Sequence, residues 1–123
     1  MGKRIYVIAK HQEYGDCSGF NWKYSEFHEF LDNMGASVSP EDEYADDFEC
    51  QCVEYKRVLD LLKKYKKKGA KAISKELEEL GYSPDDLESS LKELGGIDYV
   101  LSAMSNFYNE RDKKSDWISF SAW

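Results

Sequence analysis

From Tyr55 to Tyr108 the apolar residues recur at helical spacing, and the recurrence is broken at Gly69, Gly81 and Gly95-Gly96. Glycine readily enters the left-handed backbone region where helices end, so each break reads as a stop. Tyr55, Val58, Leu59, Leu62 and Tyr65 predict one helix opposite a lysine-rich face. Ile73, Leu77 and Leu80 predict a short second helix, and Leu87, Leu91 and Leu94 a third. The third is the best marked, because Ser83-Pro84-Asp85-Asp86 places a cap, a first-turn proline and two acids over the positive helix end. Ile97, Val100, Leu101, Met104, Phe107 and Tyr108 predict a further helix, which the polar stretch 109–116 ends. Earlier in the chain, Ser25 is placed to cap a helix whose Phe27, Phe30, Leu31 and Met34 share one face before Gly35. About five helices joined by short turns need a common surface on which to bury those faces.

Three segments can supply it. Ile5 to Ala9 is a short, partly β-branched apolar run that reads as a buried strand. Phe48, Cys50 and Cys52 alternate with Glu49, Gln51 and Val53, the period of a half-buried strand, and Trp117 to Trp123 alternates apolar with small residues. The predicted fold is α+β: a small, mostly antiparallel sheet of three or four strands, built from both termini and the 48–53 region, covered by about five helices. Residues 1–123 read as a single domain. Residues 11–22 carry two glycines and no clear period, so they predict a loop bearing aromatic rings. Residues 39–49, with Pro40 and six acids, predict a solvated loop.

A hydrophobic content of 41% with 15% aromatics separates this chain from disordered sequences, although 33% of it is charged. No run approaches the roughly 18 apolar residues of a membrane helix, and Ile5 to Ala9 is too short for a secretory core, so the expected location is the cytoplasm, without membrane contact. Gly2 with Tyr6 does not meet the pattern for lipidation, which wants Ser or Thr at the sixth position. Cys17, Cys50 and Cys52, an odd number without a framework, read as free thiols.

The net charge of −7 is unevenly distributed: residues 1–62 hold six Lys/Arg against thirteen Asp/Glu, whereas residues 63–123 hold eleven of each. Acidity concentrated in one half points to a partner with a basic face and away from general nucleic-acid binding. Lys63, Lys64, Lys66, Lys67, Lys68, Lys71 and Lys75 form the basic tract, which reads as a solvated helix end facing the negative pole of the dipole. No direct contact with nucleic acid is expected from it.

Catalytic readings find little to stand on. Cys50 and Cys52, with Cys17 and His11 or His28, could be assembled into a zinc site, but the paired-knuckle spacing is absent and the cysteines read as small core residues. Acids followed by Glu54-Tyr55-Lys56 after a predicted strand resemble the order in restriction-type nucleases, where a carboxylate and a Glu-x-Lys hold Mg²⁺ and a water. The Pro-Asp step of that pattern is missing, since Pro40 precedes Glu41. No phosphate-binding loop, dinucleotide fingerprint or nucleophile elbow is present. The chain is therefore expected to have no enzymatic activity and to need no cofactor or metal.

Two features fit binding. Glu41, Asp42, Glu43, Asp46 and Asp47 can present carboxylates to Lys or Arg side chains that otherwise grip phosphates. Tyr14, Phe20, Trp22 and Tyr24 supply ring types that anchor protein interfaces. The expected function is a small acidic inhibitor or adaptor that binds another protein, for instance by blocking a nucleic-acid-handling enzyme such as a nuclease. Phage anti-CRISPR, anti-restriction and toxin-immunity proteins work in that way as a class. The alternatives are a small metal-dependent nuclease of restriction type and a regulatory or structural domain without a nucleic-acid connection.

Overall fold

The computed structural model describes residues 5–8, 14–20, 24–39 and 47–122. Strands β1 (Ile5–Ile8), β2 (Tyr14–Gly19), β3 (Asp47–Gln51) and β4 (Trp117–Ala122) form a sheet of order β2-β1-β4-β3, antiparallel at each junction. Helices α1 (Tyr24–Asn33), α2 (Cys52–Lys68), α3 (Ser74–Leu80), α4 (Pro84–Glu93) and α5 (Ile97–Glu110) complete an α+β fold, with a single 3₁₀ turn at Ala70–Ile73 among the described residues.

Successive strand residues point to opposite faces. Phe48, Cys50, Ile118 and Phe120 accordingly share one buried face of β3 and β4, while Glu49 and Trp117 are exposed. The register carries the buried face across the sheet, with Val7 opposite Phe120 and Phe120 opposite Phe48. The helices seat on this row. The Phe120 ring centroid lies 4.9 Å from that of Phe48, 5.5 Å from Phe107 on α5, 5.6 Å from Phe27 on α1 and 5.9 Å from Tyr55 on α2. One residue of an inner strand thus meets a ring from each of three helices, edge-on for Phe27 and Phe107, the geometry that aromatic quadrupoles favour, and tilted for Tyr55.

Polar contacts fix the layer above. The Tyr55 hydroxyl donates to the Met104 carbonyl at 2.8 Å in the buried α2–α5 interface, so its one polar atom is satisfied there. Ser83 caps α4 by accepting from the Asp86 N–H at 3.0 Å, with Pro84 in the first turn, as its sequence predicts. After α1 the chain turns through Gly35, whose φ of +83° strains any other residue and where an added Cβ, 2.6 Å from Leu80 Cδ2, would require Leu80 to shift. The Gly35 carbonyl accepts from the Arg57 guanidinium at 2.8 Å, which ties this turn to α2.

The structure differs from the sequence expectation in four places. Residues 14–19 form a strand rather than part of a loop: Tyr-Gly-Asp-Cys-Ser-Gly has no apolar alternation, and pairing with β1 holds it. Cys52 does not continue β3 but opens α2, so Cys50 and Cys52 do not share a strand face. Residues 47–49 are not a solvated loop. The Ser39 N–H donates to the Glu49 carbonyl at 2.8 Å, the Glu49 N–H to Ser39 Oγ at 2.8 Å, and the Gln51 N–H to the Ser37 carbonyl at 3.0 Å. Ser25 lies within α1, which begins at Tyr24, and so does not cap it. Among the described residues no helix is long and apolar enough to cross a membrane.

The position of Phe120 leads to a direct test. Phe120→Ala should lower unfolding stability by about 3–5 kcal/mol, the cost of a large aromatic cavity in a core, whereas Phe120→Leu should lose clearly less. Urea denaturation followed by tryptophan fluorescence measures both. A loss under about 1 kcal/mol for Phe120→Ala would be the size of an ordinary substitution and would remove this ring from its central role.

Candidate functional site

Because Phe27, Phe30, Leu31 and Met34 turn α1 inward, its charged residues fall on the remaining faces. Glu26, Glu29 and Asn33 then line one side of a cleft of about 200 Å³, and Ser90, Glu93 and Leu94 from the end of α4 line the other, with Phe30 between them. Phe30 and Leu94 are buried, while Glu29 and Glu93 are exposed and Glu26 is half-buried. Among the described residues no lysine or arginine lines the cleft. None of its three carboxylates takes part in an ion pair among those residues, although five such pairs occur elsewhere.

A tyrosine bridges the cleft walls. Tyr82, in the turn between α3 and α4, places its hydroxyl 2.5 Å from Ser90 Oγ, and it also interacts with Asn33 across the cleft. Burial, together with the charges of Asp86 and Glu29, raises the Tyr82 phenol above its ordinary range, against the opposing hydrogen bonds of Ser90 and Asn33. It therefore stays protonated and able to donate at neutral pH. Leu94 is followed by Gly95, at φ +114°, and the Tyr99 ring lies against it: an added Cβ on Gly95 would come 2.9 Å from Tyr99 Cδ1. Tyr99 is 44% exposed. Its hydroxyl accepts from the Phe20 N–H at 2.9 Å, where Phe20 holds a left-handed φ of 54°.

The residues singled out from the sequence are distributed unevenly. Glu41, Asp42, Glu43, Asp46 and Trp22 lie outside the described residues. Tyr14 opens β2, Tyr24 opens α1, and Asp47 opens β3 opposite Ser121. Phe20 is corrected outright: it is 1% exposed and stacks on Phe27 at 4.3 Å, so its ring belongs to the core and not to a partner surface. The described flanks of the acidic stretch, Ser39 and Glu49, are bonded to each other, and His28 Nε2 on α1 donates to the Ser39 carbonyl at 2.6 Å. One helix therefore supports both the base of that stretch and the acidic cleft. Glu26, Glu29 and Glu93 were not singled out, because the two helices that carry them are far apart in sequence and only the α1–α4 approach brings them together. Tyr99 sits on a helix whose period explains the other apolar residues, and only its exposure marks it.

The candidate catalytic sets take other forms. Glu54 and Lys56 lie in the first turns of α2, where residues two apart point to different sides; Glu54 pairs with Arg57, and Lys56 with Asp60 at 2.6 Å. Among the described residues no group of three or more His, Cys, Asp and Glu is placed to hold a metal ion. His11 is outside those residues, and Cys17 lies in β2. Burial, then the neighbouring Cys52 and Glu54, pushes the Cys50 thiol up to about 12. Cys52, half-buried with its Sγ 3.6 Å from the Ser115 carbonyl, is also raised by burial, but the Arg111 guanidinium opposes the shift. No family model, curated protein or solved structure matches this chain.

The two thiols should differ in reactivity. With a pKa near 12, only about one Cys50 in ten thousand is ionised at pH 8, and the thiolate is the reactive form. Iodoacetamide at pH 8 followed by peptide mass spectrometry should find Cys52 modified well before Cys50, and Cys50 modified only after urea is added. Equal rates for the two in the folded protein would contradict the burial of Cys50.

Proposed function

We propose that this chain is a non-catalytic protein-binding module, of inhibitor or adaptor type, that presents an acidic surface to the basic face of another protein. The observation that carries this reading is the α1–α4 cleft, with three carboxylates and, among the described residues, no cation of the chain's own lining it. Holding Glu26 and Glu29 one turn apart on a helix, facing Glu93, costs electrostatic repulsion. A partner's lysine or arginine would relieve it. The exposed ring of Tyr99 beyond Gly95 supports the same reading, since tyrosine supplies the kind of contact that holds an interface once charge has steered it together. Glu41, Asp42, Glu43, Asp46 and Asp47 supply further carboxylates in this proposal, in a segment that follows Ser39, itself bonded to His28 on α1.

A partner surface rich in Lys and Arg is the surface by which a protein grips phosphates. The proposed action is therefore to occupy such a surface on a nucleic-acid-handling protein, a nuclease included, in place of the nucleic acid. Individual exposed ion pairs contribute about 0–1 kcal/mol, so the carboxylates act mainly on the rate and selectivity of encounter.

The test compares the native chain with Glu26→Gln/Glu29→Gln/Glu93→Gln as bait in cells of its natural host. The native chain should retain a basic protein that elutes as salt rises, and the variant should retain at least about tenfold less of it at low salt, where charge steering is strongest. Retention of the same protein by both, to the same extent, would overturn the role of the cleft. Mg²⁺-dependent cleavage of DNA or RNA by the purified chain, lost in Glu54→Gln, would overturn the binding reading altogether.

A further inference from the structure

The lysine tract is not confined to the end of α2. The helix dipole accounts for Lys66, Lys67 and Lys68 in the last turn. It does not account for Lys63 and Lys64 before them, nor for Lys71 and Lys75 beyond Gly69. Tyr55, Val58, Leu59 and Leu62 fix the buried side of α2, so Lys64, Lys67 and Lys68 stand exposed on the far side with Lys63 exposed at its flank, and Asp60 on the same side is paired with Lys56. Lys66 pairs with Asp98 at 2.6 Å, and Lys64 reaches only to 4.0 Å from Glu76 on α3. Lys63, Lys67, Lys68, Lys71 and Lys75 take part in no ion pair among the described residues.

This arrangement works against the helix. Lys63 and Lys67, and likewise Lys64 and Lys68, are like charges four residues apart, which destabilise a helix. A surface held against that repulsion points to an anion from outside the chain. The patch also lacks what a protein partner would need. Exposed lysine is depleted from protein interfaces, whose centres are apolar or aromatic, and Tyr65, the ring within the tract, is half-buried against the core. Regularly spaced phosphates need no such centre, because their binding is driven by release of counterions.

We propose that the exposed face of the second half of α2, with Lys63, Lys64, Lys67 and Lys68, contacts the phosphate backbone of a nucleic acid without reading its bases. Charges act over about 8 Å at physiological ionic strength, so the patch acts by its own sign rather than by the net −7 of the chain. The inference goes beyond the acidic-surface proposal, and the two surfaces are tested separately.

Fluorescence anisotropy of a labelled duplex of about 20 base pairs, titrated with the full chain between about 50 and 200 mM salt, provides the test. Binding should appear at the low-salt end and weaken steeply. In Lys63→Gln/Lys67→Gln/Lys68→Gln the affinity at low salt should fall at least about tenfold, and the slope of log K against log salt should flatten by about 0.9 for each phosphate that the variant no longer neutralises. The variant should melt at or above the native temperature, since it relieves both like-charge pairs; if it is poorly folded, Lys64→Gln/Lys68→Gln serves as the second variant and should also weaken binding. Glu26→Gln/Glu29→Gln/Glu93→Gln should bind the duplex as well as or better than the native chain. No binding at low salt, binding unchanged in the folded lysine variants, or displacement by poly-glutamate as readily as by unlabelled duplex would each overturn the proposal.

Discussion

The contact of Phe120 with rings from α1, α2 and α5 is the interaction on which the arrangement depends. An α+β domain must hold its helix layer on one face of a sheet, and an antiparallel sheet with one face open to solvent has a single side on which to do so. Here the row Val7, Phe120 and Phe48 crosses that side. Aromatic rings bury a large area each and prefer defined mutual angles, so a few of them orient several helices at once. The stacked Phe48 and the edge-on Phe27 and Phe107 around one ring fix where α1 and α5 pass, and Tyr55 fixes α2.

Charge follows from this geometry rather than competing with it. Once each helix has turned its apolar stripe inward, its polar residues have no freedom left in where they point. The acids of α1 meet the end of α4, and the lysines of α2 are left on the far side of their own helix from the core. The result is an acidic surface at the α1–α4 cleft and a lysine-rich one on the second half of α2. Neither surface belongs to the core, so each can be neutralised without removing buried apolar area.

How much of this could be read beforehand depends on which signal each residue carried. The helices were legible because their burial is periodic and their ends are marked: Ser83 and Pro84 at one end and Gly81 or Gly95 at another have direct backbone reasons to be there. Cys50 and Phe48 were legible in β3 by alternation, but the end of the strand before Cys52 was not, because Cys52, Tyr55 and Leu59 satisfy the helical period as well as Cys50 and Cys52 satisfy the strand period. β2 carried no signal at all: Tyr-Gly-Asp-Cys-Ser-Gly shows no strand alternation in the sequence, and its pairing with β1 is what defines it as a strand. Phe20 misled in the opposite direction, since a ring between a glycine and an asparagine reads as exposed. Its backbone is held by Tyr99, 79 residues away in sequence. Distance in sequence is also why the acidic cleft could not be seen, whereas a contiguous run such as 41–47 could.

The hydrogen bonds between Ser39 and Glu49 have a consequence for how the chain can change over time. They close the segment between them at its base, and His28 secures that closure from the helix side. The entropy of closing a loop rises only with the logarithm of its length, so doubling the segment would cost about 0.6 kcal/mol. The part of it before β3, positions 40–46, can therefore change in length at little cost while the sheet and its aromatic row stay as they are. The base of the segment is thus fixed by bonds among Ser39, Glu49 and His28, none of which involves a side chain from positions 40–46.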